Sequence, residues 1–244
     1  MKKAILISSF LIFCIQSKAQ LFVFSLNPSA SIGQFKGLNH VIDRYNETRQ
    51  GQNGAATLSR NMRNITLMGS LGWRLGIGVP FSNNGGMTFS MNRVGRRAST
   101  FAQGKDINGK TYQRDLRFTA NSFNLEGGFY YGGASDGMLL NFGGSLDLIH
   151  HKVYTRLDAA EYKEVMSELN VGISLFLQGD VFLADYISVG LRPSYQFIPL
   201  STSYKELNET INPATAQFDN EDDVSSTGSN FTLSLMLSFI VGAD

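Results

Sequence analysis

A single cysteine, at position 14, rules out a disulfide within the chain and with it the stapled fold of a small secreted domain. Five prolines, and no stretch rich in proline or serine, leave no linker that would divide the 244 residues into two domains. Beyond the amino-terminal region no segment strings together eighteen apolar residues, which argues against a helical crossing of a bilayer. Charged residues make up 17% and the signs nearly cancel, 21 basic against 20 acidic, which speaks against a nucleic-acid partner. No catalytic motif is present. What the chain has in quantity is glycine (25), phenylalanine (18) and tyrosine (9), a composition that suits a many-stranded β-barrel.

The opening "MKKAILISSFLIFCIQSKAQ" has Lys2 and Lys3, an apolar run from Ala4 to Ile15, and small residues at Ser17 and Ala19. That is the pattern of a signal peptide cut after Ala19, with an apolar run too short to span a membrane. Residues 1–19 are therefore expected to be the leader and residues 20–244 the barrel domain. Acylation at Cys14 is the alternative, and the bulky Phe13 before it argues against that. The leader takes Lys2, Lys3 and Lys18 with it and no acid, so the formal charge of +1 becomes −2.

The carboxy-terminal "NFTLSLMLSFIVGAD" alternates strictly: Phe231, Leu233, Leu235, Leu237, Phe239 and Val241 fall on one face of a strand, Thr232, Ser234, Met236, Ser238 and Ile240 on the other. Similar alternation runs through about seven more segments, near 22–35, 65–79, from 87, up to 131, from 140, 169–181 and 187–197. In the fourth of these, Leu116, Phe118 and Ala120 sit in the opposite phase to Phe123, Leu125 and Phe129, which predicts a β-bulge near Asn121. The connections alternate between short ("SNNGG", "GGASDG", "LAD") and long (36–63, 103–112, 154–166, 203–229), the layout of an outer-membrane barrel. Aromatics gather at both expected rims: Phe81, Phe129, Tyr131, Tyr186 and Phe239 on the short-turn side, Phe35, Tyr112, Tyr154, Phe197 and Phe231 on the other. A soluble barrel would hide its bulky apolar face inside and show charge outside. Here the apolar face is almost free of charge and the opposite face is serine, threonine, asparagine and glycine, which fill a narrow lumen. The reading is an all-β, eight-stranded antiparallel transmembrane β-barrel with short periplasmic turns, long extracellular loops and a short helix in the first loop.

The leader, the eight segments and the apolar last strand, with "KAQ" and "GLNHVIDRYN", resemble the small outer-membrane barrels of Gram-negative bacteria, and among them the Bacteroidetes-type outer membrane protein beta-barrel domain. The resemblance covers most of the chain and rests on patterns rather than fixed residues. It implies a place in the cell outer membrane and insertion by the outer-membrane assembly machinery, which reads the final strand. Most barrels of that kind end on an aromatic residue, and here five more residues follow Phe239. A structural or interaction role, with lipopolysaccharide or a surface protein as partner, is the expected function. A narrow porin-like transport barrel and an accessory of a secretion or envelope-assembly machine are the alternatives.

Five charged residues fall in the lumen-facing phase: Arg74, Glu126, Asp147, Asp180 and Arg192. Unpaired charges in a confined interior are costly, so they are expected to pair across the lumen and plug it. A second cluster spans the third and fourth strands. Arg93, Arg96, Arg97, Lys105, Lys110, Arg114 and Arg117 face only Asp106 and Asp115, a surplus of +5 on one hairpin. On the long-loop side this predicts contact with lipid phosphates, which arginine pairs with bidentately. His150 and His151 have no serine beside them for nucleophilic chemistry, and adjacent strand residues point opposite ways, so neither catalysis nor a metal site is expected there. The run Asp219-Asn220-Glu221-Asp222-Asp223 lacks the spacing of a calcium loop and reads as solvated. No cofactor is expected. In "GLNHVIDRYN", Leu38, Val41, Ile42 and Tyr45 make one apolar helical stripe, expected to cover the barrel mouth. The loop that carries it is basic and the last loop acidic, and barrel closure would bring the two together.

Overall fold

The computed structural model describes residues 21–50, 56–82 and 85–241; the expected leader and Cys14 lie outside the described residues. The elements run β1 (Leu21–Gln34), α1 (Lys36–Glu47), β2 (Thr57–Arg60), β3 (Leu67–Ser82), β4 (Gly85–Lys105), β5 (Thr111–Gly133), β6 (Met138–Leu157), β7 (Lys163–Ala184), β8 (Ile187–Ser203), α2 (Lys205–Ile211) and β9 (Ser225–Val241). All strands except β2 form the ring, each antiparallel to its neighbours, and β9 closes it against β1. The ladder can be followed from Val23 through Gly76, Ser90, Glu126, Ser145, Ser174, Gln196 and Asn230 to Gly33. It returns ten residues further along β1, and with eight strands that stagger tilts them about 40°.

The parity read from the last strand holds in space. On β9 the residues from Phe231 to Val241 alternate exposed and buried, odd numbers outward. The belt so formed, with Leu71, Leu75, Leu125, Leu146, Leu175 and Leu235 each at least 48% exposed, has no charge at those positions. So much apolar surface around a closed barrel is stable only against lipid. Phe81, Tyr131 and Tyr186 stand exposed at the short-turn end and Phe197 and Phe231 at the other. Phe35 is an exception to the expected upper girdle: it is 2% exposed, because β1 stops at Gln34 and the chain bends inward to start α1.

Two of the expected long loops are strand instead. β4 and β5 continue to a tight turn, where Asp106 Oδ1 accepts from the amides of Asn108 (2.9 Å) and Lys110 (2.8 Å) and Gly109 takes φ +78°. β6 and β7 likewise extend to Leu157 and Lys163. The expected bulge at Asn121 is absent, since Asn121 pairs in unbroken register with Gly95 and His150. Leu116, Phe118 and Ala120 point inward on the same phase as Ser122, Asn124 and Glu126. It is the lining that changes along the strand, from polar to apolar.

That change divides the interior into layers. A small apolar cluster of Leu21, Val23, Leu139 and Ile240 closes the short-turn end, and the middle holds hydroxyls, amides and charges. The outer part holds an apolar core of Met68, Leu116, Phe118, Ile149, Val153 and Ile198 under α1, whose Leu38, Val41, Ile42 and Tyr45 are all buried. Each large side chain so buried is worth about 1.5–3 kcal/mol. Gly37 lets α1 begin here, since a Cβ on it would lie 2.9 Å from the backbone of Val224. α2, which follows β8 directly, adds Leu207 and Ile211 to the same core.

The wall has a seam between β7 and β8. The β7–β8 ladder ends at Ile173↔Phe197, although β7 runs on to Lys163 and β8 to Ser203. Pro199 has no N–H to give, and β8 carries a register shift against β9 between Ile198 and Thr202. Bonds that involve a side chain bridge the gap: Asn170 Nδ2 donates to Thr202 Oγ1 (2.9 Å), and the Ser203 amide donates to Glu168 Oε2 (3.2 Å). In hydrogen exchange, the amides of Lys163–Gly172 that aim at β8 should exchange faster than those aimed at β6. Uniform protection along β7 would mean the wall is closed there.

Candidate functional site

The lumen charges meet at Glu126. Its Oε2 accepts from Arg74 Nε at 2.8 Å and its Oε1 from Arg192 Nη2 at 2.6 Å, with Ser90 and Asn92 as further donors. Gln178 Oε1 reaches both arginines at 3.4 Å and its amide donates to Asp180 (2.7 Å), which joins Asp180 to the group without an ion pair. Asp147 stands apart, held by Ser145 (2.6 Å), Gln196 (2.6 Å) and Ser174. The structure thus brings Arg74, Glu126 and Arg192 into contact, and leaves Asp147 and Asp180 on neutral donors. The cavity beside them measures about 20 Å³, room for about one water.

The hairpin arginines separate by parity. Arg93 and Arg97 are outward and exposed, and Arg117 is outward and half-buried with its guanidinium 4.1 Å from the ring centre of Tyr162. Arg96 corrects the expectation: it is 4% exposed inside the barrel, donating to Ser31 Oγ (3.2 Å) and Ser122 Oγ (3.4 Å). Its neighbour Arg97 faces out, and on a strand the two cannot share a face. The lumen therefore holds three arginines, Arg74, Arg96 and Arg192, against Glu126, Asp147 and Asp180. Lys105 and Lys110 are exposed at the hairpin tip, about 20 Å above Arg97. Arg114 is half-buried and its Nε is enclosed without a partner.

Along the hydrogen-bonded row that starts at Arg97, the positions of the same phase are Thr119, Lys152 and Ser167. Lys152 is neutralised by Glu164 at 2.7 Å and Arg156 by Asp115. Arg60, Arg63, Arg93, Arg97 and Arg117 make no ion pair among the described residues. The outward face from β3 to β6 is thus rich in free cations just above the apolar belt. Across the barrel, the corresponding stretches of β8, β9 and β1 (Phe197–Ser201, Thr227–Phe231 and Ile32–Gln34) hold no charged residue.

His150 and His151 point opposite ways, His150 outward and His151 into the core against Phe118 (ring centres 5.5 Å apart). The structure does bring a serine to His150: Nε2 lies 2.9 Å from Ser167 Oγ on β7, a partner that sequence adjacency could not reveal. Among the described residues no hydrogen bond reaches the other ring nitrogen of His150, where the base of a catalytic triad is oriented by a third group.

The two oppositely charged loops meet at the mouth. Arg44 Nε lies 3.4 Å and His40 Nε2 3.8 Å from Asp219, whose side chain is only 7% exposed, so the first residue of the acidic run is enclosed rather than solvated. Arg49 donates to Ile211 O (2.7 Å) and covers the Tyr45 ring at 3.7 Å, tying α1 to α2. Burial pushes the Tyr45 phenol up to about 12 and lowers Arg49 from its ordinary value. α2 itself went unread in the sequence.

A scan against protein-family models gives no match, and a search of curated proteins gives none. Solved structures with a similar strand layout include Ail of Yersinia pestis (11% identity, TM-score 0.40, 92% of this chain and 100% of that one). Others are Neisserial surface protein A (8%, 0.41, 89% and 96%) and OprG of Pseudomonas aeruginosa (13%, 0.41, 92% and 97%). At these values the likeness adds nothing to the closed ladder as a warrant for the barrel and none for function.

Proposed function

We propose that this chain is a sealed, non-catalytic surface barrel of a Gram-negative outer membrane, exported by a cleaved leader, that holds phosphorylated lipid of the outer leaflet on its β3–β6 side. The observation that carries this reading is the set of outward arginines without acidic partners, Arg93, Arg97 and Arg117, at the top of the lipid-facing belt. Several guanidinium–phosphate contacts act together and fix the orientation of the barrel in the leaflet. The resemblance to the Bacteroidetes-type domain fits the same place in the cell. A transport role is disfavoured by the lumen, where a charge network and an apolar core lie one above the other.

The test replaces Arg93, Arg97 and Arg117 by glutamine together. All three are on the outer surface, so the barrel should still fold and shift its gel mobility on boiling. Lipopolysaccharide co-purifying with the variant should fall several-fold, and added lipid should raise its melting temperature less than that of the wild type. Equal lipid content and equal stabilisation would make this face merely solvated. Arg96→Gln serves as a contrast, because it should change stability without changing bound lipid.

A further inference from the structure

Above the point where β3 stops pairing with β4 (Gly69↔Arg97) and below the point where β2 starts (Arg60↔Gln103), β4 has no ladder partner on that side. The chain between Asn61 and Thr66 crosses this gap without regular structure. Between it and β4 lies a groove of about 360 Å³, lined by Arg60, Arg63, Thr66, Leu67, Ser99 and Phe101 among others. The groove has the size of a small-molecule pocket at the lower end of the usual range.

The irregular segment is clamped. Asn39 on α1 accepts from the Ile65 amide (2.8 Å) and donates to the Ile65 carbonyl (3.2 Å). Asn46, two helical turns on, does the same for Met62, at 2.9 Å each way. Met62 and Ile65 are thereby sunk into the core, at 2% and 3% exposure. The Arg63 amide is fixed by Thr100 Oγ1 (2.8 Å), and Arg63 itself is exposed. Arg60 is steadied over the Phe101 ring at 3.9 Å. Two cations are therefore presented from an ordered frame, with neither in an ion pair among the described residues. The nearest acid on the segment's own contacts, Asp43, is engaged by Asn64 (3.4 Å). Cations held in place before a ligand arrives lose less freedom on binding it.

Leu67 decides what the ligand is. It lines the groove and is 64% exposed in the lipid-facing phase of β3, so the groove opens at the upper edge of the apolar belt. The open β4 edge and the Ser99 hydroxyl add neutral hydrogen-bonding groups beside the two guanidinium groups. We infer that this groove is a discrete site for one phosphorylated sugar headgroup of an outer-leaflet lipid, held by Arg60 and Arg63. The inference rests on the proposed placement of the barrel but assigns a separate site of its own, and it gives the two asparagines of "GLNHVIDRYN" a positioning role.

The test uses the full-length protein, delipidated in detergent, with native mass spectrometry against three probes: bisphosphorylated lipid A, its dephosphorylated form, and inorganic phosphate. Wild type should take up one tightly bound lipid A. The variant Arg60→Gln/Arg63→Gln, changed only at exposed side chains, should bind it about tenfold or more weakly. Dephosphorylated lipid should bind wild type as weakly as lipid A binds the variant, and inorganic phosphate should not displace lipid A. Equal binding of the dephosphorylated form, or efficient displacement by inorganic phosphate, overturns the lipid-headgroup site. If Arg93→Gln/Arg97→Gln/Arg117→Gln keeps all its lipid while Arg60→Gln/Arg63→Gln loses the tight one, the outer-face reading fails and the groove stands. If the groove variant alone matches wild type, the groove falls and the outer face stands. Asn46→Ala, with its fold checked by gel mobility, should weaken lipid A binding although the residue touches no ligand.

Discussion

Replacing Glu126 by alanine is expected to cost about 3–5 kcal/mol of stability, among the largest effects any single change in the barrel should have. Among the described residues Glu126 is the sole carboxylate that Arg74 and Arg192 share, and the side chains of all three are at most 5% exposed. Without it, two guanidinium groups face each other in a confined interior. Ser90, Asn92 and Gln178 surround them, but only the Gln178 carbonyl now accepts from both, at 3.4 Å. Urea unfolding in detergent micelles would show the loss. Glu126→Gln, of nearly the same volume, should lose most of the same stability, because the charge and not the shape holds the arginines. Replacing Arg74 and Arg192 by methionine in the Glu126→Ala background should then restore much of it, since exchanging a whole buried ion cluster for packed apolar groups is close to neutral. A Glu126→Ala protein as stable as wild type would mean that water reaches the arginines and that the lumen is not sealed at this level.

Parity along each strand was legible in the sequence; the filling of the interior was not. Odd and even positions of β9 fell where the alternation put them, and the stripe of Leu38, Val41, Ile42 and Tyr45 came out as a helix with that face down. Alternation states which residues share a face, and says nothing of what the inward face meets at each height. Leu116, Phe118 and Ala120 are inward and apolar because α1 covers them, and such residues read as a change of phase. The same parity that sets Arg93 and Arg97 outward with Met87, Phe89 and Met91 sets Arg96, an even position, in the lumen. The extra length of β4 and β5 also had a signal, Asn108-Gly109, the tight-turn pair of a hairpin. The asparagine clamp had none, because Asn39 and Asn46 look like any polar face of an amphipathic helix until the segment they hold is in view.

Phe118→Ala is expected to cost a further 3–5 kcal/mol by the other route, a cavity in a packed apolar core. Phe118 is fully buried, its ring 4.8 Å from that of Phe35 and 5.5 Å from that of His151. It is the largest inward side chain that the strands give to the layer under α1, so its loss should loosen α1 and α2 together. Protease cleavage between residues 205 and 224 should rise while the heat-shifted gel mobility of the barrel persists. Neither Phe118→Ala nor Glu126→Ala alone should let ions through in planar bilayers, because the two blocks lie in series. The apolar layer still dehydrates the path when the charge network is cut, and the network still fills the lumen when the apolar layer is thinned. The double variant, if it inserts, should conduct, and its effect on conductance should exceed the sum of the two single changes. Conductance from Phe118→Ala alone would show that the apolar layer is the only seal and that the charges below it serve the wall rather than closure.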